Sequence, residues 1–185
     1  MSIKYPNNIK KKVVSKTSHS NRGMDLENMI NMTNEYYLNN NIALIYKKPT
    51  PINAVKVSYE NTKKIINKAF FKAPSTLDYN GLYKGKYIEF EAKETKNKTS
   101  FPLSNIHAHQ IKHIRSVLEH NGICFIIISM NSLIYLLKGS DFIEYIDNNT
   151  RKSIDYNFLR ENGFIIKVSY QPTIDYLSIV DNIYF

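Results

Sequence analysis

Apolar residues recur at helical spacing through Gly23–Asn41, where Leu26, Ile30, Tyr37 and Leu38 share a face and Asp25 and Glu27 favour the first turn. A short strand follows at Ile42–Tyr46, and Pro49-Thr50-Pro51 then punctuates the chain. Residues 52–74 mix apolar positions with Lys56, Lys63, Lys64, Lys68 and Lys72. They fit neither a clean strand nor a clean helix and read as an excursion from the core. Thr76–Tyr83 and Lys86–Thr95 read as two strands joined at Lys84-Gly85. Ser104–Asn121 reads as a helix ended by Gly122, with Ile111, Ile114, Val117 and Leu118 as its buried stripe. The run Ile123–Met130 is apolar without alternation, as in a central strand covered on both faces, and Ser132–Leu137 pairs with it through a tight turn. Asp155–Asn162 predicts a short helix closed by Gly163, Phe164–Tyr170 a strand, and the residues after Pro172 a last helix. This order implies an α/β fold, a mixed central sheet flanked by helices.

Composition narrows the class. A chain of 185 residues with 43% hydrophobic content fills one core, which excludes a wholly disordered protein. No stretch approaches the roughly 18 apolar residues of a membrane span, and the basic N-terminus lacks the apolar segment of a secretory signal. The single cysteine, Cys124, lies inside the apolar run, which excludes a disulfide framework and a cysteine-based zinc cluster. A cytoplasmic protein with no membrane partner is expected. The charge is uneven: residues 1–98 carry 18 basic and 8 acidic residues, residues 99–185 carry 7 and 8. Residues 1–22 hold six basic residues and no acid, and read as a flexible basic arm ahead of a domain spanning 23–185. Clustered Lys and Arg suit a polyanionic partner, because they displace counterions from phosphates. Charge alone leaves nucleic-acid binding and a solubilising tail equally open.

The informative segment is Ser75-Thr-Leu-Asp78-Tyr-Asn-Gly81 followed by Tyr87-Ile-Glu89-Phe-Glu91-Ala-Lys93. A strand alternates its faces, so Glu91 and Lys93 project together. A carboxylate there can hold a hard divalent cation while the ammonium stabilises charge on an attacked phosphate. Asp78, on the neighbouring expected strand, can be brought beside Glu91. Glu-x-Lys alone is also a common surface ion pair, and spacing leaves Glu89 and Glu94 as alternative acids. The order Asp…Glu-x-Lys is that of the restriction-endonuclease-like, PD-(D/E)xK, nucleases, although Leu77 stands where their proline would be.

A longer similarity runs through Ser20–Glu27, Lys47–Pro51, Ser75–Gly81, Tyr83–Tyr87, Phe90–Leu103, His109-Gln110, Gly122–Phe125 and Ile174–Tyr176. In order and spacing these resemble the RecU family of Holliday-junction resolvases. The N-terminal arm is shorter than that family's, and the excursion has Lys where Arg would be expected. The resemblance implies a homodimer of restriction-like domains whose insertion near 49–74 projects as a stalk into a four-way junction or other branched DNA. It implies Mg²⁺, with Mn²⁺ able to substitute, held by Thr76, Asp78, Glu91 and Gln110, and Lys93 as transition-state stabiliser. It also implies contact with the recombinase and branch-migration machinery.

Glu27 is a candidate support, holding a second ion or orienting Lys93, or simply serving its helix N-terminus. Arg22, Lys63, Lys64 and Lys68 are candidate DNA contacts. His107, His109 and His113 lack the glutamate and third ligand of a zinc protease site. Cys124 reads as core. No phosphate-binding glycine loop is present, so no nucleotide cofactor is expected. Two other readings stand beside the resolvase: a restriction-type or repair nuclease on duplex or branched DNA, and a non-catalytic junction-binding modulator of recombination.

Overall fold

The computed structural model describes residues 25–72 and 76–185. The expected arm at 1–22, with Arg22, lies outside them. In chain order the elements are α1 (Leu26–Asn39), β1 (Leu44–Lys47), β2 (Ile52–Glu60), β3 (Lys63–Phe71), β4 (Tyr79–Tyr83) and β5 (Lys86–Glu94). Then come β6 (Ser100–Pro102), α2 (Ala108–Glu119), β7 (Ile123–Met130), β8 (Leu133–Lys138) and α3 (Gly139–Asn148). The chain ends with β9 (Ser153–Asp155), α4 (Tyr156–Asn162), β10 (Phe164–Ile166) and α5 (Tyr176–Tyr184).

Six strands form the central sheet in the order β1-β4-β5-β7-β8-β10. Among the described residues only β5 and β7 pair in parallel, since α2 carries the chain back across the sheet between them. The other neighbours are antiparallel, so the sheet is mixed, as expected. Three hairpins turn on two consecutive residues with positive φ: Asn61-Thr62, Lys84-Gly85 and Asn131-Ser132. That geometry matches the twist of the flanking strands.

The sheet is covered on both faces. Ile88 and Phe90 of β5, with Ile123, Phe125 and Ile127 of β7, pack beneath α1 and α5 through Ile30, Tyr37, Tyr176 and Val180. Cys124, Ile126 and Ile128 face the opposite layer, where Ile114 and Val117 of α2 and Phe142 and Tyr145 of α3 meet them. Two-sided burial is why β7 reads as a continuous apolar run. Cys124 is buried there, and burial pushes its thiol well above the ordinary range. No helix among the described residues is long and apolar enough to cross a membrane.

The excursion resolves into a hairpin: among the described residues β2 and β3 pair only with each other, and nearly every residue on both faces is exposed. With no buried face, neither strand shows period-two patterning. Other boundaries differ from the sequence reading. The strand expected from Thr76 starts at Tyr79, where pairing with both β1 and β5 begins. The first helix starts at Leu26, where Asp25 caps it by accepting the Asn28 N–H (2.8 Å). The strand expected over Phe164–Tyr170 stops at Ile166, after which Val168 bridges to Ile174 instead of following β8, and the last helix begins only at Tyr176.

Candidate active site

β4 and β5 run antiparallel with Tyr79 opposite Phe90, so the residue before Tyr79 falls beside the residue after Phe90. Asp78 therefore meets Glu91, and its backbone N–H donates to Glu91 Oε2 (3.2 Å). Glu91 is fully buried, whereas the Asp78 side chain is half exposed. Lys93, two residues on, donates to Glu91 Oε1 and lies 3.8 Å from Asp78 Oδ2. One ammonium is thus placed against two carboxylates. Burial, reinforced by the neighbouring Asp78 carboxyl, pushes the Glu91 carboxyl up to about 7; the Lys93 ammonium offsets only part of this.

Thr76, Leu77 and Asp78 line a cavity of about 470 Å³ with Glu27, Lys47, Lys48 and the Pro49–Pro51 segment at the hairpin base. Thr76 and Asp78 lie ahead of β4 in irregular chain, so strand parity does not govern them; they share the cavity wall instead. Gln110 sits buried on α2, where its Oε1 accepts the His107 N–H (2.8 Å) and caps the helix. A carbonyl oxygen retains a second lone pair for another donor or cation. Glu27 pairs with Lys47 and has no bond to Lys93, so the structure does not support its orienting Lys93. Lys63, Lys64 and Lys68 are exposed on β3, and Lys68 lies 5.4 Å from the Phe70 ring centroid.

The alternative acids separate clearly. Glu94 is exposed at the end of β5. Glu89 is fully buried and held by Lys48, Tyr87, His113 and the Leu77 N–H. Burial alone would raise its carboxyl, but the bonds from Lys48, Tyr87 and His113 outweigh that and hold it below the usual range. Its engagement is not legible from spacing, which shows parity but not the partner that follows β1. His113 is thereby a partner of Glu89, while His107 and His109 stack with centroids 5.5 Å apart. Among the described residues no three His, Cys, Asp or Glu gather into a metal cluster. Any hard cation here must draw on two carboxylates and neutral oxygens.

A family model described as "Recombination protein U" matches residues 21–182. The chain belongs to the RecU family. It is 49% identical over 199 aligned residues to the Holliday junction resolvase RecU of Bacillus thuringiensis (strain Al Hakam), covering 100% of each chain. The RecU resolvases of Bacillus cereus (strain AH820) and Bacillus anthracis match to the same extent, 49% over 199 residues. A distant likeness links the chain to the solved structure of Archaeoglobus fulgidus Hjc, a Holliday junction resolvase from an archaeal hyperthermophile. That likeness has 8% identity and a TM-score of 0.43, covering 74% of this chain and 94% of that one. The expected family and the expected mixed α/β sheet are both present.

Proposed function

We propose that the chain resolves Holliday junctions in homologous recombination and DNA repair, hydrolysing phosphodiesters with Mg²⁺ to leave 5′-phosphate ends. The observation that carries this reading is the meeting of Asp78, Glu91 and Lys93 at the base of an exposed lysine-bearing hairpin, in a chain of the RecU family. The donors fit a hard divalent cation. Burial, and after it the neighbouring Asp78 carboxyl, raises Glu91, and a bound cation would offset both costs. Asp78 and Glu91 would hold the ion, with Thr76 and Gln110 offering neutral oxygens. When bound, it supplies Lewis-acid polarisation of the phosphate and a more acidic water.

The chain's own groups supply the rest. Lys93 carries positive charge at the site and stabilises the negative charge that builds on the attacked phosphate. Glu91 must be deprotonated to act as a ligand, so cation affinity rises with pH through about 7. The hairpin lysines Lys56, Lys63, Lys64, Lys68 and Lys72 suit the open centre of a four-way junction, where phosphate backbones converge. Symmetric incision of two strands needs two such sites, which a homodimer provides. Adding Mg²⁺ to an intact four-way junction separates the readings. Paired nicks support the resolvase, duplex cutting supports a restriction-type or repair nuclease, and retention without cutting supports a junction-binding modulator.

A further inference from the structure

Glu89 is a buried carboxylate without a task in the hydrolysis described above. It shares a face of β5 with Glu91, two residues earlier. Its Oε1 takes donors from both ends of the hairpin insertion. Lys48 Nζ reaches it just before the chain departs for β2, and the Leu77 N–H (3.2 Å) reaches it after the chain returns. Its Oε2 takes the Tyr87 hydroxyl (2.6 Å) and His113 Nε2 (2.9 Å), which fix the carboxylate from β5 and α2. Lys48 also touches Asp78 directly, since its backbone N–H donates to the Asp78 carbonyl (2.8 Å). One lysine therefore grips Glu89 with its side chain and the catalytic acid's backbone with its own. The two legs of the hairpin meet once more where the Lys72 N–H donates to the Pro51 carbonyl (2.9 Å).

We propose that Glu89 is a positioning residue that couples the seat of the hairpin to the placement of Asp78. The proposal rests on the resolvase reading, because it assigns the hairpin to DNA. The hairpin is a two-stranded ribbon exposed on both faces, with no strand pairing to the central sheet among the described residues, so its orientation is set at its base. Tied at that base by one carboxylate, a ribbon seated in DNA holds residues 76–78 in register with Glu91. Released, it lets Asp78 drift, and a displacement near 1 Å at a reacting centre costs roughly 10²-fold in rate. DNA affinity resides in the hairpin's exposed lysines, which the clamp does not include.

The test uses full-length protein carrying Glu89→Gln, Lys48→Met, both together, and Lys48→Arg. Single-turnover junction cleavage in Mg²⁺ is compared with junction affinity in Ca²⁺ at fixed salt, and thermal melting checks folding. The rate is expected to fall about 10- to 100-fold in each of the first two variants, with affinity changed less than about threefold. The double variant should be no slower than the worse single, because both cut the same link. Lys48→Arg, which keeps a charged donor, should restore most of the rate. Should Glu89→Gln fail to fold, Lys48→Met decides the question, since that side chain is partly exposed and Glu89 keeps its other three donors. Wild-type rates in the variants overturn the coupling, as do additive losses or an affinity loss equal to the rate loss. Absence of cleavage by the wild type overturns the resolvase reading instead.

Discussion

Replacing Glu91 with Gln should stabilise the metal-free protein at alkaline pH while abolishing its activity. Glu91 is fully buried, and its carboxyl is raised from the usual 4.5 to about 7, chiefly by burial and then by Asp78. Between those values the folded chain binds a proton that the unfolded chain has released. Stability from this group is therefore complete below pH 4.5, falls as pH rises, and is lost above pH 7. Each tenfold change in proton affinity is worth about 1.4 kcal/mol, so the loss approaches roughly 3 kcal/mol, a ceiling that water at the half-exposed Asp78 lowers toward about 1. Gln keeps the shape and, like the protonated carboxyl, one carbonyl acceptor for Lys93 or the Asp78 N–H, but never ionises. In EDTA the variant should match the wild type at pH 4.5 and exceed it at pH 8 by about 1–3 kcal/mol, or roughly 2–4 °C in Tm per kcal/mol. Denaturant melts across that range check it. Millimolar Mg²⁺ should then raise the Tm of the wild type alone, because only ionised Glu91 completes the ligand pair. A variant less stable than the wild type at pH 8, or a pH-independent difference, would refute the reasoning.

The other expectations concern DNA. Asp78→Asn should lose cleavage yet retain junction binding in gel shifts, because the ligand and the basic surface are separate. Lys93→Ala should slow single-turnover cleavage by roughly 10²–10³-fold if it stabilises developing charge, and an unaltered rate removes it from the mechanism. Mn²⁺ should replace Mg²⁺, Ca²⁺ should support binding without cutting, and EDTA should stop cleavage; full activity in EDTA overturns the metal reading. Changing Lys63, Lys64 and Lys68 to Ala should weaken junction binding and flatten its salt dependence by up to about 0.9 for each phosphate no longer neutralised, read from affinities at several salt concentrations. Replacing residues 56–72 with a Gly/Ser turn should remove the preference for junction over duplex while leaving a folded protein.

Much of the architecture is legible in the sequence where burial leaves a pattern. β7 announces itself because both faces are covered, and α2 because Ile114 and Val117 recur on its buried side. The hairpin at β2–β3 leaves no pattern because exposure on both faces removes the constraint that produces alternation. α3 escapes a reading of the sequence: it leaves β8 directly and without a side-chain cap, and its start is marked only by Asp141 in the first turn, ahead of the buried Phe142 and Tyr145. The small β6–β9 sheet joins segments far apart in sequence over only three residues each, too few for periodicity. At the site, parity puts Glu91 with Lys93, and antiparallel register puts Asp78 beside them. Glu89 shares that parity, and only the fold reveals that Lys48 and Leu77 already occupy it.

The central claim is that this chain cuts a junction and spares a duplex at the Asp78–Glu91–Lys93 site. Its most direct test is single-turnover cleavage of a four-way junction and a duplex of the same sequence, in Mg²⁺ at one salt concentration, with the ends of the products mapped. The account predicts symmetric paired nicks bearing 5′-phosphates in the junction, an intact duplex, and no cutting of either by Asp78→Asn. Equal cutting of the duplex, or junction cutting that survives in Asp78→Asn, would contradict it.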